Sequence, residues 1–480
     1  MDSTRSDGSN RYDAIVIGAG MSGLAAGIRL AQFDKRVVVL ERHYLWGGLN
    51  SFYKRKGRLF DVGLHALTNY VPARTRNAPL TRVLRQLRIR HEELELAPHL
   101  RSRIQLEDLS LVFTNEFERF EQEVAEAFPA ERDGFARLAR DMREAELGAV
   151  PGPDRSARAV LAEYLGDPGL IDALMLPVCY YGSAREDDVD WDQFVILFRS
   201  ILLEGLSRPE GGIRPFLDRL TKRYKALGGE LRMKCGVRRI LRRTTPGGSE
   251  EGEVIGVELE DGTQLEAPRV LTSAGWVETQ GLLGRELPVR QAGAFSFVET
   301  ISVVDREPRE LGCEDAVIFY CHERPFRYAC PEGLVDVRSG VASAPNNFAS
   351  REPLDDGCMR VTLLANPARW FELDPEQYAA AKQQCSELAL DAFARCGADP
   401  RPHELDRDVF TPCTVKRFTS HVNGAVYGAP EKRRRGLTDI EGLILIGTDQ
   451  GFLGVVGAMQ SGISMANLHV LAGDRVESAV

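Results

Sequence analysis

Three glycines and one carboxylate carry the clearest chemistry in the chain. Gly18, Gly20 and Gly23 stand at the spacing G-x-G-x-x-G, with Ala19, Met21 and Ser22 between them, and Glu41 follows 18 positions after Gly23. In such a motif the first glycine makes a tight turn, the second lets the backbone approach a pyrophosphate, and the third lets a helix pack close to a strand. The acid at the end of the second strand accepts hydrogen bonds from an adenosine ribose. An acid here rather than an arginine implies a free 2′-hydroxyl, which fits FAD or NAD and argues against NADP. Against this, there is no Ser/His/Asp or Cys/His constellation and no metal-ligand spacing, so the chemistry falls to a bound cofactor.

The elements required to position these residues are present. Residues 14–17 form a short β-branched apolar run that reads as a buried parallel strand. A helix over 21–33 then points its free N–H groups and positive dipole end at phosphates. Residues 36–40 form the second strand, ending in Glu41. Gly47 and Gly48 suit a second loop closing on the pyrophosphate. Residues 51–70 read as a hairpin turning at Lys56-Gly57, with His65 just beyond its end. The 79–90 segment is an amphipathic helix with an arginine-rich face, read first as the solvated face of a packed helix and second as a membrane-surface helix. Residues 115–147 and 158–206 are helical, the latter broken at Gly166 and Gly182. Its apolar runs 174–181 and 194–206 suit core helices or the walls of an apolar tunnel equally. A helix follows residue 212, then a strand from 230, a loop over 246–252 and a hairpin turning at Asp261-Gly262. Residues 286–400 hold strand-like runs and one long helix over 375–396. Residues 442–446 form a last strand leading into a glycine-rich turn and a helix from about Val455, so one cofactor can be held from both ends of the chain. There the Asp449 carboxylate can accept a ribityl hydroxyl, and backbone N–H groups near Val455 and Val456 can meet the electron-rich edge of a flavin.

The motifs GAGMSG, LER, GG and FDVG, in that order, resemble the flavin-dependent polyene oxidoreductases, a group within the amine-oxidase-like flavoproteins that includes phytoene desaturase, carotenoid isomerase and retinol saturase. Four details look like the saturase and isomerase branches. Leu49 stands where other members have arginine after the glycine pair. FDVGLH is similar to FDTGIH. GAVYGAPE at 424–431 and GTDQGFLGVVGAMQSG further on also match, with Thr448 set between Gly447 and Asp449. The resemblance implies an α/β fold: a Rossmann-type FAD-binding domain from residues 1–105, 207–285 and 406–480, with a discontinuous α+β substrate domain from 106–206 (helical) and 286–405 (sheet plus helices). It implies FAD as cofactor, held by Gly18 to Gly23, Glu41, Arg42, Gly47, Gly48, Leu49, Val237 beside the adenine, Gly447, Asp449, Val455 and Val456. His65 would lie next to the flavin as a proton donor or acceptor, and His421 and Tyr427 would line the substrate cavity. The implied activity is hydride transfer at flavin N5 to or from carbon–carbon bonds of an apolar polyene or isoprenoid. A flavin amine oxidase and a non-catalytic prenyl-lipid escort protein remain alternatives.

The totals agree with a soluble enzyme. The chain has 480 residues, 43% hydrophobic and 27% charged, with a net charge of −9. That balance offers no basic face for nucleic acid. Nine unpatterned cysteines point to reduced thiols in a cytoplasmic setting. The polar first eleven residues lack the apolar core of a signal peptide. The 14–31 run is the nucleotide-binding unit rather than a membrane helix, and membrane contact, if an apolar substrate demands it, would be peripheral.

Overall fold

The computed structural model describes residues 10–146, 154–244 and 251–472. The loop expected over 246–252 therefore lies mostly outside the described residues. Ala14–Ile17 is fully buried and pairs in parallel with Val37–Leu40 on one side and Val270–Thr272 on the other. Leu443–Leu445 and Glu230–Arg232 complete a five-stranded parallel sheet as its two edges. Strands from near residue 15, 38, 231, 271 and 444 thus meet in one layer, so the chain enters this sheet, leaves it and returns twice. Helix Met21–Ala31 packs between this sheet and helix Gly454–Ala466 from the far end of the chain. Pro79–Leu87 joins the same core through Leu80, Val83, Leu84 and Leu87, while Arg82, Arg85 and Arg88 stay exposed. Its apolar stripe is covered by protein, which is the packed-helix reading.

A seven-stranded sheet forms the second layer, in the order 404–410, 296–304, 357–365, 335–343, 317–321, 102–106, 109–113. It is antiparallel except where Val317–Cys321 runs parallel to Ser102–Leu106. Its residues alternate between faces, as strands must. Val317, Phe319 and Cys321 pack against a helical layer, and Ile318 and Tyr320 pack against the opposite face with helix Pro375–Arg395. The helical layer holds Phe117–Ala127, Arg132–Glu144, Ala157–Tyr164, Pro168–Gly182 and Trp191–Phe198, the last running into a π-turn at Arg199–Leu203.

Two strands cross the expected limits between parts. Ser102–Leu106 spans the limit at 105/106, and Glu404–Phe410 spans that at 405/406. Leu109–Phe113 also puts a strand at the head of a stretch expected to be helical. Ser102–Leu106 joins the sheet through Val317–Cys321 and Glu404–Phe410 through Ser296–Val304, partners far along the chain, while Leu109–Phe113 follows by hairpin pairing with Ser102–Leu106.

Candidate functional site

The turn after Ala14–Ile17 is shaped by contacts that admit no side chain. Gly18 has φ +97°, and a Cβ on it would lie 2.2 Å from Ser273 Oγ. A Cβ on Gly23 would lie 1.9 Å from the Gly18 carbonyl oxygen, so helix and turn touch. Gly20 differs: a Cβ there meets nothing within 4 Å. Its open side faces a cavity of about 1980 Å³ lined also by Gly18, Met21, Ser22, Glu41, Arg42, Gly47, Gly48 and Leu49. The Gly47 N–H donates to the Ala19 carbonyl at 2.9 Å, joining the two glycine loops. Glu41 accepts the backbone N–H groups of Ala19 (2.8 Å) and His43 (2.9 Å), which fixes its carboxylate at the strand end. Val237 lines the same cavity with Cys235 and Glu260.

The other end is built by the returning chain. Gly447, Thr448, Val455 and Val456 line the cavity, the two valines in the first turn of Gly454–Ala466. The Gly447 N–H donates to Ser461 Oγ at 2.8 Å, tying the turn to the helix. Asp449 departs from the expectation. It is 3% exposed and lies outside the cavity wall. Its carboxylate accepts the N–H groups of Ala429 (2.7 Å) and Trp276 (2.6 Å), with Lys432 Nζ 3.9 Å away. Each oxygen holds one N–H, fastening the 429–432 loop to the turn after Val270–Thr272, and Thr448 lies on the wall beside it. Burial, opposed by Asp449, pulls Lys432 down to about 8.

Beyond the nucleotide end the cavity continues between the seven-stranded sheet and the helical layer. Tyr180, Tyr181, Ile196, Leu197, Phe297 and Tyr427 wall it. The same two helices bury Leu174, Val178, Phe194, Phe198 and Ile201 in the core. Core helix and tunnel wall are thus opposite faces of the same elements. Tyr427 donates its hydroxyl to the Tyr180 carbonyl and meets Phe297 edge-on at 5.8 Å between ring centres. His421 also lines the cavity, beside Glu278 of helix Trp276–Leu282. Burial alone would lower its pKa, but the Glu278 carboxylate 3.7 Å away and Asp449 raise it.

His65 stands on the loop after the hairpin Phe52–Arg55/Arg58–Asp61 and faces this chamber. Its Nδ1 is 2.8 Å from Ser343 Oγ and its Nε2 is 3.1 Å from Thr362 Oγ1. Burial, then the positive charges of Arg360 and Arg208, hold it well below the usual histidine range, so the ring is neutral. Those two arginines were not singled out from sequence, and they build the loop. Arg360 is fully buried, pairs with Glu299 and donates to the carbonyls of Leu64 (3.0 Å) and Val62 (2.8 Å). Arg208 pairs with Asp61, whose other oxygen accepts the Ile213 N–H at 3.0 Å. A readable signal existed: Glu299 and Arg360 are lone charges inside the apolar runs SFVETISVV and GCMRVTLLA, and buried charges require partners. Glu204 was missed as well. It lies on the cavity wall, accepts from Asn69 Nδ2 at 2.8 Å, and is pushed up by burial.

The site fits a dinucleotide. It offers a side-chain-free approach at Gly20, a fixed acid at Glu41 on the cavity wall, and a helix N-terminus from each end of the chain. Among the described residues no helix is long and apolar enough to cross a membrane. The family model of flavin-containing amine oxidoreductases matches residues 21–468. Prolycopene isomerase from Arabidopsis thaliana is 24% identical over 98% of this chain and 84% of its own length. All-trans-retinol 13,14-reductase from Danio rerio is 24% identical over 96% of this chain and 87% of its own. A cofactor-redesigned putrescine oxidase shares the fold, with TM-score 0.63 and 17% identity over 98% of this chain and 99% of that one.

Proposed function

The chain belongs to the flavin-containing amine oxidoreductase family and is an FAD-dependent oxidoreductase, and from that premise we propose that its substrate is a long apolar polyene or isoprenoid whose carbon–carbon bonds it desaturates, saturates or isomerises. The observation that carries this reading is the chamber beyond the nucleotide end, walled by Tyr180, Tyr181, Ile196, Leu197, Phe297 and Tyr427. A stretch of wall built from aromatic and aliphatic side chains suits a conjugated hydrocarbon. The activities named for the isomerase and reductase relatives agree with it.

Bound FAD supplies hydride transfer at its N5. The chain's own residues do the rest. Gly18 to Gly23 give the pyrophosphate a backbone cradle, Gly47, Gly48 and Leu49 close over it, and Arg42 stands at its rim. Glu41 holds the ribose and Val237 packs beside the adenine. Thr448, in place of Asp449, takes the ribityl chain. The N–H groups at Val455 and Val456, in the first turn of the last helix, would hold the electron-rich edge of the flavin ring. His65, neutral and held by two hydroxyls, orients what lies above the sheet. Tyr427 and His421 close the chamber's sides. Domain limits near 105, 206, 285 and 405 divide the cofactor-holding from the substrate-holding parts. Any membrane contact is peripheral.

The test is an anaerobic reaction of FAD-loaded protein with retinol, phytoene, lycopene isomers and a primary amine, followed by absorbance and chromatography. The expected result is a change in the number or geometry of double bonds in a polyene. Flavin reduction by the amine, with every polyene untouched, would move the substrate to amines.

A further inference from the structure

Adding hydrogen across a double bond, or removing it, moves one hydride and one proton. His65 is poorly suited to the proton. Its ring is neutral, and both nitrogens face hydroxyls, at Ser343 and Thr362. Of the other acids on the wall, Glu260 lies beside Gly236 at the Val237 end, Glu146 is exposed, and four are committed. Glu41 accepts two backbone N–H groups, and Asp192 pairs with Arg434. Glu299 pairs with Arg360, and Glu278 accepts the Val422 N–H beside His421.

Glu204 is different. It follows the π-turn Arg199–Leu203, an irregularity that rotates side chains off the helical register and recurs at functional sites. One carboxylate oxygen accepts from Asn69 Nδ2 at 2.8 Å, and the group forms no ion pair among the described residues. Its own helix supplies the nearest cation, Arg199, but that guanidinium is turned onto the carbonyls of Met142, Arg143 and Ala145. Asn69 is itself held: its N–H donates to the Ser200 carbonyl at 2.9 Å, and its Oδ1 accepts from Thr68 Oγ1 at 3.2 Å. Thr68 borders Gly454, where the last helix begins, its Oγ1 3.8 Å from where a Cβ on that glycine would stand. A run of contacts, Glu204–Asn69–Thr68–Gly454, therefore links this carboxyl on the cavity wall to the residue where the last helix begins.

Building on the polyene reading above, we propose that Glu204 is the proton-transfer residue of the chamber, giving its proton to one carbon of the substrate double bond while the neighbouring carbon takes hydride. In the reducing direction the π electron pair and the Glu204 proton make one C–H bond, and hydride from reduced flavin makes the other. Glu204 is left as carboxylate and regains a proton from solvent. An external two-electron donor restores the flavin. Desaturation runs the same transfers backwards, with the carboxylate as base. Burial, opposed by Asn69 and by Arg199, raises the group from its ordinary value, the direction that favours a carboxyl holding its proton.

The experiment compares wild type, Glu204→Gln and Asn69→Ala, each loaded with FAD. The first readout needs no turnover: infrared pH titration of unloaded protein should show a carboxylic-acid band with a raised midpoint that Glu204→Gln removes. The second is single turnover of a polyene in heavy water with chemically reduced flavin. Glu204→Gln should bind FAD normally, slow deuterium delivery to carbon by about 100-fold or more, and flatten the pH profile. Asn69→Ala loses a donor to the charged form and should move the profile to higher pH. A Glu204→Gln enzyme with the wild-type rate and profile, or an unmoved profile in Asn69→Ala, would overturn the role of Glu204 and leave the polyene reading standing. Wild type inert towards every polyene would end both.

Discussion

Two glycines three residues apart answer different demands, and the same substitution should separate them. A methyl group at Gly23 would lie 1.9 Å from the Gly18 carbonyl oxygen, a backbone atom that cannot step aside. Gly23→Ala should therefore cost about 3 kcal/mol or more of stability, the upper range for overpacking. A methyl group at Gly20 meets nothing within 4 Å and protrudes into the cavity. Gly20→Ala should melt like wild type without FAD, yet bind FAD at least about tenfold more weakly, because the pyrophosphate loses its close approach. Thermal melts of unloaded protein and a fluorescence titration with FAD read the two effects, and equal behaviour of the variants would refute the division. His65 gives a pH prediction. Its pKa is lowered on folding, so the folded protein refuses a proton that the unfolded chain accepts. The stability from this group is present above the ordinary histidine value of about 6.5 and is lost as pH falls below it. The slope approaches about 1.4 kcal/mol per pH unit for one group. Denaturant melts on both sides of that value should show the loss in wild type and less of it in His65→Gln.

At the scale of elements, the question is what sets the 62–65 loop over the sheet. Glu299 comes from Ser296–Val304 and Arg360 from the neighbouring Gly357–Ala365, and together they anchor the loop through the Val62 and Leu64 carbonyls. Glu299→Gln leaves the Arg360 charge buried without its counter-charge and should cost about 3–5 kcal/mol. Pairing it with Arg360→Met should cost less than the sum of the two single changes, and a double-mutant cycle measures the difference. Additive losses would mean that the arginine serves the loop without needing the glutamate. These anchors show where sequence is readable and where it is not. The nucleotide-binding turn, the hairpin at Lys56-Gly57, the Asp261-Gly262 turn and helix Pro375–Arg395 are set by local patterns, and the structure has them where the residues imply. Strands 102–106 and 404–410 take their place in the sheet from partners far along the chain, 317–321 and 296–304. The same limit hides Asp449's two N–H donors and the pairing of Asn69 with Glu204. Residue types mark a group as chemically able, but only the fold decides which direction it faces.

For the whole molecule, the cavity is the one feature to which almost every part of the chain contributes. Its wall takes Gly20 and Glu41 from the first strands, Leu197 and Glu204 from the helical layer, Phe297 and Thr362 from the seven-stranded sheet, and Val455 and Val456 from the last helix. The parallel sheet is itself assembled from three separate stretches of chain. Neither layer can then complete its side of the cavity while the other is unfolded, and FAD gains full contact only with both in place. A ligand that binds only the native state stabilises it by RT ln(1 + [L]/Kd), about 2.7 kcal/mol at a hundredfold excess over Kd. The expected calorimetric trace is a single transition that moves upward as FAD is added, with near- and far-ultraviolet circular dichroism following it together. Two transitions, only one of them responsive to FAD, would mean that the nucleotide and substrate layers fold as independent units. The cavity would then be a cleft between domains rather than the shared core of one.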